Sequence, residues 1–70
     1  MDAPIYIIGD LVSVERWDRS ERHVNKIGSP AVVLDVTTGN RSESGVMVTF
    51  RGASGTVRTL DQNWLAPFKP

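Results

Sequence analysis

The feature that most constrains the fold is a regular alternation of short β-prone runs with turn-forming residues. Gly9 and Asp10 precede the first run, in which Val12 and Val14 share one face of a strand. Further runs of the same kind, each after a turn-forming segment, cover residues 31–37, 46–50 and 56–60. Short strands separated by turns at this spacing predict a small antiparallel barrel, and barrels of this kind commonly serve as binding platforms.

The period of two within these runs predicts which side chains form the core. We expect one continuous core of alternating apolar residues, made of Val12, Val14, Val32, Leu34, Val36, Val48, Phe50 and Val57. Asp61 resembles a helix N-cap, so residues 61–64 are predicted to form a single 3-10 turn. Leu65 then begins a last short strand, which brings the predicted barrel to about five strands.

A chain of 70 residues without cysteine has few means of stabilisation. Such a small domain buries only about 60% of the surface that its unfolded chain exposes. No disulfide or thiolate metal site can compensate for this. The core must therefore be supplied by aliphatic and aromatic side chains, or in part by a partner chain.

The charge of the chain is balanced, with eight basic and eight acidic residues and a net charge of zero at pH 7. Nucleic-acid-binding domains usually carry a basic excess, so the balance weakens that class. Low net charge in a small domain instead favours self-association. The basic residues are six Arg and two Lys. This bias suits planar, bidentate or stacked contacts, or it reflects the base composition of the source genome.

The first eight residues are expected to form a unit separate from the barrel. Their apolar run, residues 5–8, is only four residues long, follows Asp2 and has no basic region before it. It is predicted to be neither a signal peptide nor a membrane span, so we expect a cytoplasmic protein without membrane contact. Residues 1–8 are expected to be a lead-in strand that covers an open barrel end, or a tail that pairs with a second subunit. Residues 9–70 are expected to be the barrel domain.

The order of these elements resembles the SH3-like barrels of the KOW and Tudor type. The matching segments are Gly9-Asp10-Leu11-Val12-Ser13-Val14, Ala31-Val32-Val33-Leu34-Asp35-Val36, Val46-Met47-Val48-Thr49-Phe50 and Thr56-Val57-Arg58-Thr59-Leu60. Residues 61–65 look like the single 3-10 turn before the final strand of those barrels. The resemblance covers residues 9–68 and implies a fold, but it implies no particular function, because such barrels host many functions.

Other SH3-like groups match the residues less well. An SH3 domain that binds proline-rich peptides would show an aromatic ladder and acidic loop residues. A Tudor domain that reads methyl-lysine would show three or four clustered aromatic residues. The plasmid-type dihydrofolate reductases are small SH3-like chains that form a tetramer around a shared pore. Their Val-Gln-Ile-Tyr-type strand is not matched by Thr56-Val57-Arg58-Thr59-Leu60.

No residue set in the sequence specifies a catalytic or metal site. His23 is the only histidine, and the loop carboxylates near it in sequence do not make the ligand set of a zinc site. Gly52-Ala53-Ser54-Gly55 lacks the Lys and the helix of a phosphate-binding loop. We therefore expect a non-enzymatic protein with no cofactor and no metal.

The predicted binding surface joins an aromatic residue to several arginines. Its expected members are Trp17, Arg19, Arg22, Arg51 and Arg58. The first three lie together in sequence, where stacking on the indole and pairing of the arginines with phosphate or carboxylate could occur together. The last two flank the turn at residues 52–55, and a hairpin there is expected to project both toward one face. The alternative is an ordinary solvated surface that neighbouring Asp and Glu residues neutralise.

The sequence thus predicts a small binding module that is accessory to a larger assembly. Protein contact or self-association is the expected mode, and nucleic-acid contact through the arginines is the second. One alternative is a nucleic-acid-binding KOW-like module. Another is an oligomeric enzyme whose site forms only where subunits meet. The mass of the protein in solution discriminates between these classes, since a monomer has no shared site.

Overall fold

The computed structural model of the protein describes residues 3–15 and 30–69 and shows an all-β chain. The elements within these residues are β1 (Leu11–Val14), β2 (Pro30–Thr38), β3 (Val46–Gly52), β4 (Val57–Asp61), a 3-10 turn (Gln62–Trp64) and β5 (Leu65–Pro67). All neighbouring strands are antiparallel. The prediction of an all-β chain with five strands and a 3-10 turn before the last one is confirmed.

The five strands form one sheet in the order β4-β3-β2-β1-β5. Strands β4 and β5 are its two edges, and the described residues do not pair them with each other, so the sheet is not closed into a barrel. The last strand is only three residues long and ends at Pro67, which has no backbone N–H to donate. At the centre of the sheet Val12, Val33 and Phe50 are buried in the core, whereas Leu11, Val32 and Arg51 are exposed.

A tight hairpin joins β3 to β4. Gly55 has a φ of +86° and donates its N–H to the Gly52 carbonyl, while the Gly52 N–H is donated to Thr56 O, each over 2.9 Å. A turn followed by a residue in the left-handed region is a common hairpin connection, and glycine adopts that region without steric cost. The turn thereby fixes the register in which Arg51 lies opposite Val57.

A β-bulge in β2 changes which residues of that strand face the core. The register between β2 and β3 shifts between Val33 and Asp35. Before the shift Ala31 and Val33 are buried, and after it Val36 packs against the core. The prediction that Val32 and Leu34 are core residues is therefore wrong: they are 39% and 38% exposed. One extra residue in a strand reverses the phase of the alternation, which a strict period of two cannot represent.

The core lies on one side of the sheet. Its buried members are Tyr6, Val12, Val14, Ala31, Val33, Val48, Phe50, Leu60 and Leu65, and Val36 and Trp64 pack against them. The predicted core positions Val12, Val14, Val48 and Phe50 are confirmed. Val57 is a second correction, because it is 43% exposed and lies opposite the exposed Arg51, while Leu60 is the buried apolar residue of β4.

Residues 3–8 pack against the sheet without forming a strand. Tyr6 is buried in the core, and the buried Gln62 side chain holds the segment by its amide. Gln62 Nε2 donates to Ala3 O over 3.0 Å, and Gln62 Oε1 accepts from Ile5 N over 3.1 Å. Residues 3–8 are thus held by a side chain and form no strand. That they cover an open barrel end, or pair with a second subunit, stays a prediction.

Candidate interaction surface

Four strands contribute one continuous row of side chains to the face opposite the core, here called the outer face. Leu11 pairs with Val32, Val32 with Arg51, and Arg51 with Val57. Residues that lie directly opposite each other on antiparallel strands point to the same face, with Cβ atoms about 5 Å apart. We call these four residues the outer row.

The apolar members of the outer row are well exposed. Leu11 is 52%, Val32 39% and Val57 43% exposed, and Arg51 between them is exposed as well. Leu34, at the bulge, adds a fourth aliphatic side chain. Single apolar residues on a surface are ordinary, but a contiguous set marks a site of contact with another molecule.

Polar residues form the next row of the outer face. Asp35 pairs with Thr49 and Thr49 with Thr59, and the two Thr hydroxyl groups are 2.8 Å apart. Asp35 lies diagonally from Arg51 on the adjacent strand. Among the described residues, neither Asp35 nor Arg51 has an ion pair or a side-chain hydrogen bond. Within residues 3–15 and 30–69, the outer face therefore presents Asp35 and Arg51 as an unpaired anion and an unpaired cation among aliphatic side chains.

Arg51 and Arg58 do not share a face. Arg58 lies opposite Phe50, whose side chain is buried, whereas Arg51 lies opposite the exposed Val57. The expectation that the hairpin projects both arginines to one side is wrong, because adjacent register positions alternate between faces. Arg58 instead turns to the sheet edge and donates from Nη1 to Val57 O over 2.9 Å. That both residues bind a partner remains a prediction.

The other three expected binding residues, Trp17, Arg19 and Arg22, lie outside the described residues. Their proximity to Arg51 and Arg58 is therefore not addressed by the structure. Their roles in binding remain predictions.

A buried carboxylate joins the loop after β2 to the 3-10 turn. Asp61 Oδ2 accepts hydrogen bonds from Ser44 N and Ser44 Oγ over 2.8 and 2.9 Å, and Oδ1 accepts from Asn63 N over 2.8 Å. Burial alone raises the pKa of Asp61, but the hydrogen bonds from Ser44 and Asn63 outweigh it and hold the pKa below its usual value. The buried Ser42 hydroxyl lowers the pKa further, although it meets hydrogen-bond geometry with none of the described residues. The predicted N-cap role of Asp61 is confirmed.

Trp64 is half-buried and packs against the core cluster. Together with Met47 and Leu60 it also lines an open pocket of about 310 Å³, with Glu43 at its edge. Asn63 Nδ2 donates to this Glu43 carboxylate over 3.2 Å. The pocket opens four residues along β3 from Arg51, so it is separate from the outer row.

The N-terminal segment presents apolar side chains around a buried tyrosine. Ile5, Ile7 and Ile8 are exposed, while Tyr6 between them is buried. Burial raises the pKa of the Tyr6 hydroxyl, and the nearby carboxylates of Glu15 and Asp10 raise it further. The hydroxyl therefore stays neutral beyond the pH at which a free tyrosine ionises.

Sequence reasoning missed the aliphatic members of the outer face because it assigned them to the core or left them unassigned. The signal that could have identified them is the run Val32-Val33-Leu34, which is apolar on both faces of a strand. Such a run predicts either a strand buried on both sides or a strand whose second face meets a partner. Arg51 is the one outer-row residue that the sequence assigned to binding.

Comparisons with protein families, curated proteins and solved structures find no match to this chain. Among residues 3–15 and 30–69, no group of three or more His, Cys, Asp or Glu side chains is placed to hold a metal ion. In the same residues there is no helix of the length and apolarity that crossing a membrane requires. The function must therefore be argued from the surface itself.

Proposed function

We propose that this protein is a small non-enzymatic binding module that acts by protein contact through the outer face of its sheet. The observation that carries the proposal is the outer row, in which aliphatic side chains from three strands surround Arg51. An arginine within an apolar patch is typical of protein interfaces, where Arg is enriched and other charged residues are depleted at the centre. The balanced charge of the chain supports association with another protein more than with a polyanion.

Nucleic-acid contact is the second mode that the arginines suggest. The described residues favour it less, because the register places Arg51 and Arg58 on alternate positions of the hairpin, so that they do not form one basic patch. The resemblance to KOW and Tudor barrels, which the 3-10 turn before the last strand supports, stays a proposal at the level of the fold. The alternative of an enzyme with a shared site rests only on the capacity of the chain to self-associate.

The test places a charge at two positions of the outer row. The double variant Val32→Lys/Val57→Lys leaves the core intact, because both side chains are exposed, and it should abolish binding of protein to the outer face. The tagged parent and the variant are used as baits for the untagged chain and for an extract of the native host. Ile5→Lys, which places a lysine at an exposed isoleucine that does not line the cavity beside Asp35, is the matched control.

We expect the parent and the control to retain the same protein, and the outer-row variant to lose it by tenfold or more, since truncating a central contact typically costs about 2 kcal/mol. Retention of the same proteins by all three baits contradicts the proposal, and so does a parent that retains no protein at all. Thermal unfolding of each variant shows whether its fold is retained.

A further inference from the structure

We infer that the outer face is self-complementary and that its occupant is a second copy of this chain, in a two-fold pair in which Arg51 of each copy meets Asp35 of the other. The inference rests on the proposed function and names the partner of the same surface. It starts from the two charged groups of the outer face, which have no ion-pair partner among the described residues.

The positions of these two groups follow from the register. Asp35 lies opposite Thr49, and Arg51 is two residues further along β3 on the same face. Strands lie about 4.8 Å apart and rise about 3.3 Å per residue, so the two Cα atoms are separated by about 8 Å along a diagonal. One cation and one anion at this spacing give the face a positive and a negative half.

A two-fold axis in the plane of the interface makes these halves meet. When the axis bisects the line from Arg51 to Asp35 at a right angle, each Arg51 is placed over the partner's Asp35, and the contact occurs twice. On the same spacing the axis passes beside Leu11 and between Val32 and Leu34. Leu11 then packs on its own copy and Val32 packs on the partner's Leu34, so apolar contacts line the axis and the ion pairs flank them.

The same two-fold rotation thus packs the aliphatic side chains of the two copies together and pairs their charges. An unrelated partner would need a complementary face of its own, whereas this face already carries both halves of the match. Zero net charge adds no repulsion between two copies. In a single copy the Arg51 guanidinium and the Asp35 carboxylate have no ion-pair partner among the described residues. In the two-fold pair each of them meets its counterpart from the other copy, and Arg can bind a carboxylate through two parallel hydrogen bonds.

The experiment uses two charge-reversed variants whose defects are complementary. Arg51→Asp places two carboxylates at each contact of a homodimer, and Asp35→Arg places two guanidinium groups there. Each variant alone should dimerise at least about tenfold more weakly than the parent, because like charges oppose each other across the interface. An equimolar mixture should restore the dimer, since every contact in the mixed pair again joins a cation to an anion.

Sedimentation equilibrium measures the association of the parent, each variant and the mixture at the same ionic strength. The control is Arg41→Glu, which reverses an exposed charge in the loop after β2, away from the outer face; it should dimerise like the parent. A parent that stays monomeric at every concentration, or a mixture that associates no better than its separate components, overturns the inference.

Failure of this inference is distinguishable from failure of the proposed function. If the parent is monomeric but retains another protein that the Val32→Lys/Val57→Lys variant loses, the outer face binds a partner other than a second copy. If the parent dimerises and that variant dimerises equally well, the copies meet through another surface and the inference is wrong, while the bait experiment still decides the proposed function.

Discussion

Asp61 shows how one side chain can tie together parts of a small sheet. Its carboxylate caps the 3-10 turn through Asn63 N and holds the loop after β2 through Ser44. Because both oxygen atoms accept hydrogen bonds, one from Asn63 and the other from the buried Ser44, ionisation is stabilised by hydrogen bonding rather than by a neighbouring cation. The sequence predicted the cap, since Asp before a turn is a local signal, but the bond to Ser44 spans 17 positions and has no local signal.

Replacing this carboxylate should cost stability and change its dependence on acid. Asp61→Asn loses the charge and an acceptor for buried donors, and we expect a loss of about 1–3 kcal/mol in the free energy of unfolding. The pKa of Asp61 is lowered in the folded state, so its stabilisation is complete above the unfolded value near 4 and is lost as the pH falls through the folded pKa.

Denaturant unfolding between pH 2 and pH 7 measures this dependence. The parent should lose stability toward acid more steeply than Asp61→Asn does. Asp10→Asn is the matched control, because the Asp10 carboxylate accepts one exposed hydrogen bond, from Ile7 N. Equal acid slopes for the parent and Asp61→Asn would show that the carboxylate is not preferentially ionised in the folded state.

At the scale of the element, β2 separates what a sequence pattern can predict from what it cannot. The existence of the strands, the hairpin glycines and the 3-10 turn followed from local signals that the structure bears out. Which residues of β2 face the core did not follow from local signals, because Val32, Val33 and Leu34 are all apolar and the alternation can begin at Val32 or at Val33. The bulge that sets the phase arises from pairing with β3. For the same reason the exposed aliphatic residues of the outer face were mistaken for core residues.

The bulge and an uninterrupted alternation predict opposite effects of a charge at Val33 and at Leu34. Val33→Asp buries an unpaired carboxylate at a position with no exposure and should unfold the domain. Leu34→Asp, one residue along, places the carboxylate at an exposed position and should change the free energy of unfolding by less than about 1 kcal/mol. Circular dichroism with thermal unfolding, at low protein concentration, compares the two variants. A folded Val33→Asp protein beside an unfolded Leu34→Asp protein would restore the uninterrupted register and remove the bulge.

At the scale of the whole molecule, the thin margin of a 70-residue domain connects its stability to its surface. Among the described residues the apolar core lies on one face of the sheet, and the aliphatic side chains of the outer face leave further apolar area in water. The N-terminal segment offsets part of this by inserting Tyr6 into the core and pairing its backbone with Gln62. A second copy packed on the outer face would bury the apolar side chains there that the described residues of one copy leave exposed.

Coupling between association and folding should make the thermal midpoint depend on protein concentration. A dimer that forms only from folded chains shifts the unfolding equilibrium by mass action. For a domain of this size the midpoint should rise by roughly 4–5 °C for each tenfold increase in concentration above the dimer Kd. Arg51→Asp should begin this rise only at a concentration at least about tenfold higher, and should keep at high dilution the midpoint that the parent shows there. Scanning calorimetry across at least two decades of concentration makes the comparison, with Arg41→Glu behaving like the parent. If the parent midpoint is constant over that range, folding is independent of any second copy and the outer face is exposed in the stable monomer.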